Sequence, residues 1–186
     1  MHHKCAVAIA MIAVGILATL ATHSPAEPML PKKRATSDDV ISLAGIRQFG
    51  VTVAPFQPFL QEIGMSAEHV RGRCIDLLEE AGYQAVNGND HPYLSVAVRA
   101  FTNPKLDIAI HAYSLETKFL QPIELDRLDR TLEVPTYATS AYGMSETENL
   151  PTHLGMLVDA RIKAFIRVLQ QAEDFVNAEE TSQHAR

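Results

Sequence analysis

The sequence predicts an α+β fold: a two-layer sandwich in the order β-α-β-β-β-β-α, with two helices on one face of a mixed, mostly antiparallel sheet. Three observations carry that expectation. Alternating or β-branched apolar runs recur between Phe49 and Tyr142 with turn residues between them. Two other segments repeat apolar residues at helical spacing. Each of those helices has a single apolar stripe, enough to cover one side of a sheet and leave the other side open.

The first strand is Phe49 to Ala54, with Val51 and Val53 inward, ended by Pro55 and Pro58. The first helix follows. Ser66 is suited to cap it, Glu68 sits in the first turn where the helix dipole favours an acid, and Val70, Cys74, Leu77, Leu78 and Ala81 form its stripe until Gly82 stops it. Gln84 to Val86 makes a short second strand. Because a helix lies between these two strands, they are expected to run parallel if they share a sheet.

After the polar turn Asn87-Gly88-Asn89-Asp90 comes the stretch Pro92 to Tyr113, an expected antiparallel hairpin around Thr102-Asn103-Pro104-Lys105. Leu94, Val96, Val98 and Ala100 form one core set, and Leu106, Ile108, Ile110 and Ala112 continue it on the second strand. That strand runs on through Phe119, but Leu115, Thr117 and Phe119 have the opposite parity, so a bulge is expected near Ser114. Leu132 to Tyr142 is the last strand, placed at an edge or a bulge because Pro135 has no amide to donate. A long amphipathic helix starts near Asn149, with Leu154, Leu157, Val158, Ile162, Phe165, Leu169, Ala172 and Val176 on one stripe and Pro151 in its first turn.

The expected organisation is an export signal over residues 1–26, a flexible linker over 27–46, one domain over 47–177, and a disordered tail over 178–186. The signal reading rests on Met1-His2-His3-Lys4, the apolar small-residue run Ala6 to Ala21, and small side chains near Thr19-Leu20-Ala21 and Ser24-Pro25-Ala26 where a peptidase cuts. The apolar run is shorter than the roughly 20 residues of a spanning helix, so a soluble periplasmic or extracellular product is expected, with an uncleaved anchor as the alternative. Cys5 precedes the apolar run, the wrong side for a lipid-bearing cysteine. Loss of residues 1–26 removes one Lys and no acid, so 15 basic against 22 acidic residues give −7, where the whole chain has −6. A chain this acidic, without a basic stripe, speaks against nucleic acid as a partner. It also leaves Cys74 as the single cysteine, on a helix stripe, where a buried inert thiol is expected.

The far side of the sheet is the surface to suspect. Tyr93, Arg99, Phe101, His111, Tyr113 and Tyr137 are expected to share this open face, and aromatic and Arg side chains dominate binding hot spots. No sequence pattern points to a catalytic residue, a metal or a cofactor. His69, His91, His111 and His153 lack ligand spacing, Asn87 to Pro92 lacks the ladder of a calcium loop, and no serine sits in a nucleophile elbow.

The segments VTVAPF, EEAGYQAV, PYLSVAV and PTYATSAYG, followed by an amphipathic helix, resemble a group of signal-bearing exported bacterial α+β proteins over roughly Val51 to Leu169. No activity is assigned to that group, so the resemblance implies a fold and export and nothing catalytic. The element order is also similar to that of the lipoprotein that assists lipopolysaccharide assembly, although this chain lacks the lipid-bearing cysteine.

The reading is therefore a non-catalytic envelope or periplasmic accessory protein, an assembly factor that binds a protein partner through its open sheet face or a sheet edge, or closes that face on its own copy. The alternative is a small secreted hydrolase or metal-dependent enzyme with a histidine-containing site.

Overall fold

The computed structural model describes residues 38–87, 91–102 and 110–184. The expected signal segment and the centre of the β3–β4 connection, with Leu106 and Ile108, lie outside them. The elements are α1 (Asp38–Ile41), β1 (Gln48–Val53), α2 (Pro58–Glu62), α3 (Ala67–Glu80), β2 (Gln84–Ala85), β3 (Tyr93–Thr102), β4 (Ile110–Leu125), a 3₁₀ turn (Asp126–Leu128), β5 (Arg130–Glu146) and α4 (Leu150–His184). The strands form one sheet in the order β2-β1-β3-β4-β5. β1 is parallel to both β2 and β3, as its helix-containing connections require. β3, β4 and β5 are an antiparallel meander.

Local chemistry places the two long helices, α3 and α4, as expected, while the short α1 and α2 are additional to the expected order. The Ser66 hydroxyl accepts from the His69 amide at the start of α3, and Gly82 turns the chain at φ 88, a conformation a Cβ would oppose. α3 buries Val70, Cys74, Leu77 and Leu78. α4 buries Leu150, Leu154, Val158, Ile162, Phe165, Leu169 and Ala172. Both stripes meet Leu94, Val96, Val98, Leu115 and Phe119 of the sheet in one core. At its centre Phe119 meets Phe49 edge-on at 5.2 Å and Phe165 at 5.2 Å, while Tyr137 lies 5.1 Å from Phe165. One aromatic cluster thus ties β1, β4, β5 and α4 together. Between the helices, Arg73 donates twice to Asp159, at 2.9 and 2.7 Å; these bonds hold the Asp159 carboxyl below its usual range.

Three expectations at the domain's margins and in its hairpin are corrected. The linker does not reach residue 46: Asp38–Ile41 is helical and Leu43 is buried in the core. The tail is not disordered from 178, because α4 continues to His184, helped by an Ala-Glu-Glu sequence that favours helix and by the Thr181 hydroxyl donating to the Asn177 carbonyl. In the hairpin, Thr102 pairs with His111 and Tyr93 with Leu120, without a shift between. The two residue numbers of every such pair add up to 213, so an even-numbered core residue on β3 faces an odd-numbered one on β4. Ile110 and Ala112 therefore lie on the open face, and the bulge expected near Ser114 sits further on, at Thr136, between the pairs Phe119–Tyr137 and Leu120–Pro135.

Candidate functional site: a trough on the open sheet face

Register fixes which side chains share the face that no described helix covers. Across β3, β4 and β5 it carries three successive rows: Ala97–Glu116–Ser140, Arg99–Ser114–Tyr142 and Phe101–Ala112–Met144. In the last two rows a small β4 residue stands between large neighbours. The result is a trough along β4, about 820 Å³ in volume, with Ala112 and Ser114 as floor, Arg99 and Phe101 as one wall, and Tyr142 and Met144 as the other. Its wall residues are among the most exposed large apolar side chains of the domain: Phe101 at 55%, Met144 at 70% and Tyr142 at 80%. Beyond Glu116, which is paired to Lys118 at 2.8 Å, the face becomes charged. Towards the other end, half-exposed Ile110 extends the apolar surface. Arg99 is exposed and makes no ion pair among the described residues.

The walls stand on β3 and β5, two strand spacings apart, or about 10 Å. After the bulk of the wall side chains, that leaves the width of about one extended chain. The floor offers a hydroxyl at Ser114 and a methyl at Ala112; Arg99 puts a cation on one wall, and Glu116, paired to Lys118, puts a carboxylate at the charged end of the lining.

Of the residues expected on the open face, three are there. Arg99 and Phe101 line the trough. Tyr93 sits on the same side nearer β1, where its hydroxyl donates to Glu133 at 2.8 Å; that carboxylate raises the Tyr93 pKa. The other three are corrected. His111 is buried under the helical layer, its ring 4.4 Å from Phe59 and Nε2 2.8 Å from the Thr147 hydroxyl. Tyr113 pairs with Gly143 and lies across it on the core side. Tyr137 packs on Phe165, and burial raises its hydroxyl pKa. The physical reason is one of parity: the β3–β4 register and the Thr136 bulge each move a set of side chains to the opposite face.

Sequence reasoning missed Ala112, Tyr142 and Met144. Tyr142 and Met144 share a parity with each other and not with Tyr137, a signal that becomes readable once a bulge is placed next to Pro135.

Two histidines do approach one patch. Ser145 pairs with His111 across the sheet, and its hydroxyl lies 2.9 Å from His153 Nδ1 and 3.1 Å from the Glu146 carbonyl, to which it donates. These contacts tie the end of β5 to the first turns of α4. Ser145 is buried beneath them, and among the described residues no three of His, Cys, Asp and Glu gather into a metal-binding group. Cys74 is likewise enclosed, and burial pushes its thiol up to about 12. No described helix is long and apolar enough to cross a membrane.

No protein-family model matches the chain, and no curated protein does. Among solved structures it is similar to a minor lipoprotein from Acinetobacter baumannii, at 17% identity over 67% of this chain and 90% of that one, with a TM-score of 0.37. It is also similar to a PelC dodecamer from Paraburkholderia phytofirmans, at 11% identity over 68% of this chain and 87% of that one, with a TM-score of 0.38.

Proposed function

We propose that this chain is a non-catalytic binding protein of the cell envelope, an accessory or assembly factor whose working surface is the trough on its open sheet face. One observation carries the reading. Phe101, Tyr142 and Met144 stand exposed around a small-residue floor, so the fold commits three large apolar side chains to shaping a concavity in water. The occupant that fits is an elongated apolar chain, one chain wide, with an acidic group placed to meet Arg99. The charged amino terminus and the apolar run Ala6 to Ala21 support export, and with it an envelope location.

The test fills the floor. Ala112→Lys puts a long charged side chain into the trough without touching the core, because Ala112 is exposed. Binding of a single-chain fatty carboxylate is measured by titration calorimetry, and envelope proteins captured by wild type and variant are compared by quantitative mass spectrometry. The reading expects one of the two to be lost in Ala112→Lys and weakened by Arg99→Gln, with the melting temperature unchanged. Identical behaviour of wild type and variant in both arms contradicts it.

A further inference from the structure

The two edges of the sheet are treated differently by the fold. At one edge, β2 is two residues long, and where β1 runs past it the Arg71 guanidinium donates to the Val51 carbonyl at 3.0 Å and covers the exposed backbone. A short edge strand with a cationic cover is how folds keep other strands away. At the other edge lies β5, 17 residues long and paired on one side to β4. Among the described residues no strand meets its outer side. From Pro135 to Ser145 it carries no charged residue, and its composition is Thr, Tyr, Ala, Ser, Gly and Met, with the proline confined to the start of that stretch. Tyr142 and Met144, at 80% and 70% exposure, stand on it. A long, uncharged, β-prone edge is a template for strand addition.

We infer that the Tyr137–Glu146 segment of β5 pairs antiparallel with the same segment of a second copy about a two-fold axis, joining two sheets into one. The occupant is a second copy because the stretch is compatible with itself. In a two-fold antiparallel pair each residue meets its mirror position, so a charge near the axis faces its own sign. Here none does. For an axis at Ala141, Tyr142 or Gly143, Glu146 falls opposite Thr136, Ala138 or Ser140, never opposite a carboxylate. In the same registers Tyr142 meets Ser140, Tyr142 or Met144 of the copy, so the most exposed aromatic of the domain gains a partner on its own face. The Thr136 bulge and Pro135 end the pairing on one side, and the turn after Glu146 ends it on the other. The pairing stands on the strand edge and holds whatever the trough binds.

Sedimentation velocity and light scattering on the full chain test it, across a dilution series. Wild type and Ala112→Lys, one strand in from the edge, are expected at twice the chain mass; Tyr142→Lys and Ser140→Lys are expected at the single mass, each with an unchanged circular dichroism spectrum. A wild type that stays at single mass overturns the inference. So does a doubled mass that survives both β5 variants, or one abolished by Ala112→Lys alone, which is the signature of face-to-face closure. Should the β5 variants fail to fold, hydrogen exchange on wild type decides: amide protection in 137–146 that rises with protein concentration supports the pairing, and concentration-independent exchange there refutes it.

Discussion

Replacing Gly143 by Ala tests the placement of Tyr113 directly. A Cβ at Gly143 would fall 2.8 Å from Tyr113 Cε2 and nearer still to its Cζ and hydroxyl oxygen, because the ring lies across the glycine on the core side of the β4–β5 pair. Two effects of opposite sign meet here. Removing a glycine from a strand interior stabilises by roughly 0.5–1 kcal/mol, since Gly loses the most backbone freedom on folding. Forcing the ring off its seat costs about 1–3 kcal/mol, the range for overpacking. The clash outweighs the gain in backbone entropy, so Gly143→Ala is expected to destabilise by about 1 kcal/mol. In a Tyr113→Ala background the clash is gone, and the same substitution is expected to stabilise. Urea denaturation of the four proteins of this cycle, at constant m-value, gives the coupling, expected at about 1–3 kcal/mol. A stabilising Gly143→Ala in the wild-type background, or a coupling below about 0.5 kcal/mol, refutes the core-side placement of Tyr113.

Three further outcomes follow from burial. Phe119→Ala, at the centre of the aromatic cluster, is expected to cost about 3–5 kcal/mol in chemical denaturation, while Phe101→Ala, more than half exposed on the adjacent strand, is expected to change stability by less than about 0.5 kcal/mol. Thr117 is fully buried and its hydroxyl finds no partner among the described residues, so Thr117→Val is expected to be neutral or to stabilise by about 1 kcal/mol; a large loss would reveal a hydrogen bond at that oxygen. With the Cys74 thiol raised to about 12, the reactive thiolate is absent at neutral pH. Thiol-specific labelling of a Cys5→Ser chain in mildly alkaline buffer is expected to proceed at the rate of unfolding and to accelerate in urea, whereas rapid labelling of the native protein would contradict the burial of α3.

The two long helices were readable because their signals are local, whereas α1 and α2, four and five residues long, are too short to show a period. Ser66, Gly82 and the stripe from Val70 to Leu78 each act within a turn or two of the chain, and α4 repeats its stripe over many turns, so a single misplaced residue changes nothing. β1, β2 and the core set of β3 were legible for the same reason. The face assignments of β4 and β5 were not local. Whether His111 or Ala112 points into the core depends on how many residues the β3–β4 connection takes up, and whether Tyr137 or Tyr142 does so depends on a bulge one residue long. A period of two has no tolerance for an error of one. The existence of an open face with exposed aromatics could thus be inferred from the number and amphipathicity of the helices, while half of its membership could not. At the margins, Leu43 looked like part of a linker because the apolar residues around it, Val40, Ile41, Ala44 and Ile46, make a run too short to show a sustained period, although Val40, Ala44 and Ile46 pack with it against the core.

The central claim is that the β3–β4–β5 face opposite the helices is the surface at which this protein engages its partner. A photo-activatable amino acid placed at Phe101 on the trough wall, and separately at Met156 on the exposed side of α4, tests this in cells that export the full chain. The account predicts a covalent adduct from position 101 that disappears when Ala112→Lys fills the trough, and none from position 156. Adducts from position 156 with none from position 101 would contradict it.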